Sequence, residues 1–210
     1  MPIIFIEGNI SGGKTTLLDE INKKMSNIKV IYEPVDTWRQ IGLLDEFYKD
    51  QKRYGYTFQN IAFITKMMIL DNLEDVKNKI YIIERSPFTD ANCFGKLCYE
   101  NGNMNKMEWI AYNMWYQHYI SEFENKYKNL IKFVYLKTDP KVCINRIKIR
   151  NRNEESNIPL EYLEALNIKH EEWLEDINNK LVLDGNLEKD RVNEHITKII
   201  NFLKNDEINL

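Results

Sequence analysis

Short runs of β-branched and aromatic residues alternate along the chain with longer stretches whose apolar positions recur at helical spacing. Ile3–Ile6, Lys29–Tyr32, Ile80–Ile83, Ile131–Leu136 and Lys180–Leu183 have the length and composition of strands, the first suited to burial on both faces. Between them the spacing predicts helices. The first carries Leu17, Leu18 and Ile21 on one side, and the next runs over Trp38–Tyr48 before the polar stretch Lys49–Lys52. A strongly helical segment over Phe58–Leu73 places Phe58, Ile61, Ala62, Ile64, Thr65, Met68 and Ile69 on a broad apolar face. Two more are expected at Thr89–Tyr99 and Lys106–Lys126, split by the turn-like Asn101-Gly102-Asn103. Another starts at Pro140 and enters the basic stretch Arg146–Arg152; a long one spans about Pro159–Asn178, and the last ends near Lys204. Strands alternating with helices predict an α/β fold, a doubly wound parallel sheet of five strands flanked by helices. Residues 1–210 are expected to form one domain, with a short arginine-rich lid at about 146–157.

Composition narrows the function classes. With 43% hydrophobic and 29% charged residues, the 210-residue chain can bury a sizeable core. A net charge of −3 gives no basic field of the kind that advertises nucleic-acid binding. No apolar run approaches the ~20 residues of a membrane span, and the first strand starts too early for a signal peptide. Cys93, Cys98 and Cys143 are odd in number and lack metal-type spacing, which predicts reduced thiols in a cytoplasmic-type compartment. His118, His170 and His195 are scattered and read as surface or core residues rather than ligands.

The first strand runs into Gly8-x-x-x-x-Gly13-Lys14-Thr15 and then a helix, the context a phosphate-binding loop requires. Glycines let main-chain N–H groups converge on phosphate oxygens, and the helix start adds free donors and its positive dipole end. Lys14 would reach the terminal phosphates and the Thr15 hydroxyl would ligate Mg²⁺. The loop Gly8, Asn9, Ile10, Ser11, Gly12, Gly13, Lys14, Thr15 and Thr16 therefore predicts a nucleoside triphosphate site. Pro34 forces Glu33 out of helical geometry at a strand's C-terminal end, the edge where such sheets bind ligands. Glu33 is accordingly a candidate base, Arg85 an anchor for an acceptor hydroxyl, and Glu84 a Mg²⁺ partner. Arg146 and Arg150, four apart on one helix face, could clamp phosphates with Arg152 nearby.

These residues form an ordered set of signatures: Glu7-Gly-Asn-Ile-Ser-Gly-Gly-Lys-Thr-Thr16, Glu33-Pro-Val-Asp-Thr-Trp38, Tyr56-Thr-Phe-Gln59 and Glu84-Arg-Ser86, then Arg146-x-x-x-Arg-x-Arg-x-Glu-Glu155, Ile158-Pro-Leu-Glu-Tyr-Leu163 and His170-Glu-Glu-Trp-Leu174. In that combination the sequence resembles the deoxyribonucleoside kinases over roughly Ile3–Leu187. The resemblance implies ATP and Mg²⁺ as cofactors, a small-molecule deoxynucleoside as acceptor, and a homodimer. It implies Glu33 as base for the 5′-hydroxyl, Arg85 as its positioning partner, and Tyr48 with Glu155 on the sugar 3′-hydroxyl. Gln59 would read the base edge between the walls Trp38, Leu44, Phe58 and Phe94. Asp184, Gly185, Asn186 and Leu187 would form the loop touching the donor's adenine.

Ala62, Lys66 and Asp90 occupy the corner that separates base preferences in the family. The deoxycytidine and deoxyguanosine enzymes look like Ala, Arg and Asp there, so the expected preference is purine deoxynucleosides and deoxycytidine above thymidine. Lys66 replaces an arginine and lacks its planar fork; Pro87 and Ala91 are smaller departures. Two alternatives remain. A nucleoside monophosphate kinase needs an arginine-rich acceptor pocket, whereas Glu33, Tyr48 and Gln59 are acidic or neutral. A nucleotide-dependent switch protein would turn its basic lid to nucleic acid, against the net acidity of the chain.

Overall fold

The computed structural model describes residues 1–155, 157–187 and 191–204. Five strands, β1 (Ile3–Glu7), β2 (Ile28–Ile31), β3 (Ile80–Glu84), β4 (Ile131–Lys137) and β5 (Lys180–Asp184), form one sheet in the order β2-β3-β1-β4-β5. Every pairing is parallel. Side chains alternate between faces, as strand geometry demands. Ile3 and Phe5 pack with Tyr81, Ile83, Phe133 and Tyr135 on one side, while Ile4 and Ile6 pack with Ile82, Val134 and Leu136 on the other. Helix α1 (Lys14–Lys24) and α10 (Val192–Lys204) cover the second face with Leu17, Leu18, Ile21, Ile196, Ile199 and Leu203. The first face is covered by α4 (Gln51–Asp71), α7 (Lys106–Tyr127) and α9 (Leu160–Glu175), through Phe63, Met67, Tyr112, Phe123 and Leu174. Chain order reverses at β1, so the crevice beyond the C-terminal ends of β1 and β3 is the natural ligand site.

The segment expected as one helix over 38–48 is two, α2 (Val35–Gln40) and α3 (Leu43–Lys49), because Gly42 sits at φ 72° between them. Helix α4 begins at Gln51, well before Phe58, where the Asp50 carboxylate caps the Arg53 amide at 2.9 Å. Its inward face is also turned from the expected one. Gly55, Gln59, Ala62, Phe63, Lys66, Met67 and Leu70 are buried, whereas Met68 is 59% exposed. The helix predicted at 89–99 is α5 (Pro87–Thr89), a π-helical turn (Asp90–Gly95) and α6 (Lys96–Glu100). Wide turns of this kind recur at functional sites, and this one carries Asp90 and Phe94. An Asn105–Glu108 capping box starts α7. Helix α8 (Pro140–Arg150) ends at Asn151, left-handed at φ 50°, and leads into a 3₁₀ turn (Asn153–Glu155).

Gly8 joins β1 to the loop at φ 145°, and a β-carbon there would lie 2.6 Å from the Leu136 carbonyl oxygen. Gly8→Ala is therefore expected to destabilise the fold by roughly 3 kcal/mol or more, through strain and a backbone clash. Thermal unfolding of the variant within a degree or two of the parent would contradict this.

Candidate active site

A cleft of about 800 Å³ opens beyond β1 and β3, within the size range of small-molecule sites. Its floor on one side is the loop from Ile10 to Thr16. The loop is held from below. Asn9 donates to the Leu163 carbonyl at 2.8 Å and accepts from the Ile10 amide at 2.8 Å, and Thr138 Oγ1 donates to the Gly12 carbonyl at 2.9 Å. Ser11 is left-handed at φ 57°, and Gly13 precedes α1 at φ 100°. The opening amides of α1 have no partner within the helix, and Lys14, Thr15 and Thr16 that carry them line the cleft. Lys14 is 4% exposed and donates to the Gly8 and Asn9 carbonyls at 3.2 and 2.8 Å. Burial and then the Arg85 charge lower its pKa to about 8, against the opposing pull of Glu84, Glu33 and Glu7. Thr15 Oγ1 donates to Glu84 Oε1 at 2.7 Å, which brings together the two residues expected at a metal.

Across the cleft lies a buried charge network. Glu33 Oε1 is 2.9 Å from Lys66 Nζ and 3.1 Å from Arg85 Nε, and Lys66 Nζ is 2.5 Å from Asp90 Oδ1. Burial pushes the Glu33 carboxyl up, but Lys66, Arg85 and Lys14 outweigh it and hold the pKa at about 2. Asp90 is shifted the other way, with burial dominating over Lys66. Arg85 is left-handed at φ 60°, a costly conformation for a long side chain, and its amide donates to the Ile6 carbonyl at 3.0 Å. That turn carries its guanidinium over the Phe94 ring, 4.5 Å from the centroid. Among the described residues, three buried polar atoms around this region, Gln59 Oε1, Arg85 Nη1 and Asp90 Oδ2, have no hydrogen-bond partner. Trp38, Leu44, Tyr48, Phe58 and Ala62 complete the wall, with Trp38 Nε1 donating to Thr65 Oγ1 at 3.1 Å.

The arginines expected in a lid meet the cleft in a divided arrangement. Arg146 donates to the carbonyls of Gly12, Gly185 and Leu187 at 3.3, 2.9 and 3.3 Å, tying α8 to the phosphate loop and the β5 loop. Arg150 and Arg152 both pair with Glu155, and Arg39 of α2 pairs with Glu154 at 2.7 Å. Tyr48 is half-buried beside Tyr162 and Glu155; desolvation, then these two neighbours, raise its phenol pKa.

Most residues singled out from sequence line this one cleft, including Arg146, Arg150, Arg152, Glu155 and Gly185. Gly8, Asn9, Lys66, Asp184 and Asn186 do not. Gly8 and Asn9 brace the loop, Lys66 stands behind Glu33, and the Asp184 carboxylate accepts from the Asn186 amide at 3.0 Å to close a turn. The same Asn186 holds the Asp139 amide at 2.9 Å.

Other residues were not anticipated. Phe47 stacks on Phe58 at 4.4 Å, which no spacing signal revealed because the Gly42 break resets the helical phase. Tyr162 lies inside a motif quoted above and lines the cleft, as do Tyr32, Ile149 and His195. Glu7, wholly buried, accepts from the Ser86 amide at 3.0 Å and the Thr89 hydroxyl at 2.5 Å. It fixes the turn that delivers Arg85, and its position at the head of the loop motif was the available signal.

Among the described residues no three His, Cys, Asp or Glu side chains converge to hold a metal, and no helix is long and apolar enough to cross a membrane. A family model described as deoxynucleoside kinase matches residues 4–207. The chain is 40% identical over 176 residues to a probable deoxycytidine kinase of Fowlpox virus (strain NVSL), covering 83% of this chain and 72% of that protein. It is 33% identical over 194 residues to deoxycytidine kinase of Mus musculus, covering 81% and 74% of the two. It is also 32% identical over 234 residues to the mitochondrial deoxyguanosine kinase of Xenopus laevis, covering 97% and 85%. A nucleotide-type loop, a half-buried carboxylate lining the same cleft and this breadth of similarity agree, and the chain belongs to the deoxynucleoside kinase family.

Proposed function

We propose that the protein transfers the γ-phosphoryl of ATP to the 5′-hydroxyl of deoxyribonucleosides, favouring deoxycytidine and purine deoxynucleosides over thymidine. The observation that carries this reading is the set of unpartnered buried atoms, Gln59 Oε1, Arg85 Nη1 and Asp90 Oδ2, beside the ionised Glu33. Buried polar atoms without partners are costly, and a ligand with matching groups removes that cost. Gln59 Oε1 and Asp90 Oδ2 are both acceptors and suit the exocyclic amine of cytosine or adenine. Thymine offers a carbonyl and a methyl group at that edge. Arg85 Nη1 is a donor next to Glu33 and suits the 5′-oxygen, while Tyr48 and Glu155 would hold the 3′-hydroxyl. The relatives named for deoxycytidine and deoxyguanosine support the same preference.

Glu33 would accept the hydroxyl proton, with Arg85 and Lys66 fixing the carboxylate. A carboxylate at about 2 is a weak base, so the proton would leave late, when the phosphoryl is already passing to the acceptor oxygen. Lys14 and the loop amides would hold the triphosphate, and Arg146, Arg150 and Arg152 would add charge as the lid closes. The Thr15–Glu84 pair supplies hard oxygen donors of the kind Mg²⁺ takes alongside phosphate oxygens. Bound there, Mg²⁺ would neutralise charge on the transferring group. Solvent-facing Met107, Ile110, Met114 and Trp115 run along α7 and support a homodimer through that helix. The three buried free cysteines suit a cytoplasmic-type, reducing compartment.

The test is base selectivity. Lys66→Val with Asp90→Ala removes the amine-accepting corner and is expected to shift the thymidine-to-deoxycytidine ratio of kcat/KM by about 100-fold toward thymidine. An unchanged ratio in a folded, active variant would overturn the assignment.

A further inference from the structure

Arg39 stands on the last turn of α2, one residue after the cleft-lining Trp38, and the proposed kinase chemistry gives it no role. Its guanidinium spans two partners. Nε donates to Glu154 Oε1 at 2.7 Å and Nη2 lies 2.7 Å from the same oxygen, while Nη1 donates to Asp36 Oδ1 at 3.0 Å. The Glu154 side chain is only 10% exposed although it carries a charge. Burial raises its carboxyl pKa, but its own amide and then Arg39 outweigh burial and lower it, so the pair is ionised at pH 7. Residues 151–158 form a strap between α8 and α9. At one end α8 stops at Asn151, left-handed at φ 50°; at the other Ile158 is buried against Cys143, Ile147 and Leu163. Between them the Glu155 amide donates to the Arg152 carbonyl and the Ile158 amide to the Glu155 carbonyl, each at 3.1 Å, bonds that stay within the strap.

We propose that Arg39 is a positioning residue: by holding Glu154 it fixes the neighbouring Glu155 against the acceptor's sugar and sets the preference for acceptors that carry a 3′-hydroxyl. The proposal rests on the acceptor half of the proposed function, in which Glu155 holds that hydroxyl. Glu155 and Glu154 are adjacent and serve different sides. Glu155 lines the cleft beside Tyr48 of α3, whereas Glu154 is turned to α2. The neighbouring arginines do not fix the strap to the acceptor wall, because Arg150 and Arg152 both pair with Glu155 itself. Among the described residues, Arg39–Glu154 is the ion pair that joins the strap to the wall carrying Trp38. Without it Glu154 is left charged and mostly buried, and the strap relieves that cost by moving out to water, taking Glu155 with it. Acceptor groups beyond the sugar's 3′ position do not depend on Glu155, so the loss falls on recognition of the 3′-hydroxyl.

The experiment makes two measurements on the parent, Arg39→Met, Arg39→Lys, Glu154→Gln and the double variant of Arg39→Met with Glu154→Gln. Methionine keeps the aliphatic stem and loses the charge. The first measurement is hydrogen exchange of the 151–158 amides in the nucleotide-free protein, which Arg39→Met is expected to speed about fivefold, the scale of a part-exposed ion pair. The second is the ratio of kcat/KM for deoxycytidine to that for 2′,3′-dideoxycytidine with Mg·ATP. The parent is expected to favour deoxycytidine. Arg39→Met and Glu154→Gln should each lower the ratio about fivefold, mainly through the deoxycytidine KM, with lysine recovering part of it. The double variant should lose no more than either single one. Unchanged exchange or an unchanged ratio in folded Arg39→Met would overturn the proposal, as would losses that add in the double variant. If methionine prevents folding, Arg39→Lys and Glu154→Gln decide by the same two readouts. A parent that turns over both acceptors equally would show that the reading of Glu155 has failed. A parent that discriminates, beside an Arg39→Met that discriminates as well, would show that the role of Arg39 has failed.

Discussion

Glu33→Gln is expected to lower kcat by about 10³-fold, at the upper part of what a positioned proton acceptor contributes. Glutamine keeps the shape but cannot take a proton or neutralise Lys66 and Arg85, which lie 2.9 and 3.1 Å from Glu33 Oε1. Lys66 retains Asp90 at 2.5 Å, so the variant keeps one half of the network and is expected to fold. The pH dependence sharpens the prediction. The carboxyl is lowered from 4.5 to about 2 in the folded protein, so it is ionised throughout the working range. The stability it contributes is fully present above pH 4.5 and lost as pH falls through about 2. The parent's kcat/KM should consequently show no acidic limb from Glu33 between pH 5 and pH 8. A variant retaining more than a tenth of the parent rate would remove Glu33 from its assigned role.

Lys14→Met is expected to cost about 10³-fold in kcat/KM for ATP, since one preorganised donor at a developing charge is worth roughly 10²–10³. Its ammonium is held on the Gly8 and Asn9 carbonyls, ready for phosphate without a search through rotamers. Desolvation lowers its pKa to about 8 in the free protein, and a bound triphosphate favours the charged form. ATP affinity should therefore be flat below pH 8 and weaken by up to tenfold per unit above it. In Lys14→Met the affinity should be weak and independent of pH across the same window. Lys14→Arg should not restore the rate, because the buried position on two carbonyls suits a compact ammonium rather than a planar fork. A parent whose ATP binding is unaltered from pH 7 to pH 10 would contradict the assignment.

The sheet and the phosphate loop were legible because their signals are local. Ile3–Ile6, Gly8, Gly13 and Lys14 each announce a strand, a turn or a helix start within a few residues. Helix α4 shows where local signals fail. Apolar periodicity placed its inner face on Phe58, Ile61, Ala62, Ile64, Thr65, Met68 and Ile69; Ala62 is buried as expected, but the rest of the buried face runs through Gln59, Phe63, Lys66 and Met67. Two polar side chains lie on that face, Lys66 paired with Glu33 and Asp90 and Gln59 lining the cleft, and a hydrophobic pattern cannot register either. The π-helical turn at Asp90–Gly95 was hidden for a related reason: its spacing suits Asp90 and Phe94 in the cleft rather than a regular helix. Glu33 and Arg85 were legible as strand-end charges, but their pairing was not, since it depends on the left-handed Arg85 and on the Glu7 carboxylate beneath it.

The central claim is that a deoxynucleoside hydroxyl accepts the phosphoryl at the Glu33 end of the cleft. The most direct measurement is ADP release with Mg·ATP and each of the four deoxynucleosides in turn, with thymidylate as the monophosphate control. Release that requires a deoxynucleoside, is fastest with deoxycytidine or a purine deoxynucleoside, and does not occur with thymidylate is the predicted result. Release with thymidylate alone, or at the same rate without any acceptor, would contradict it.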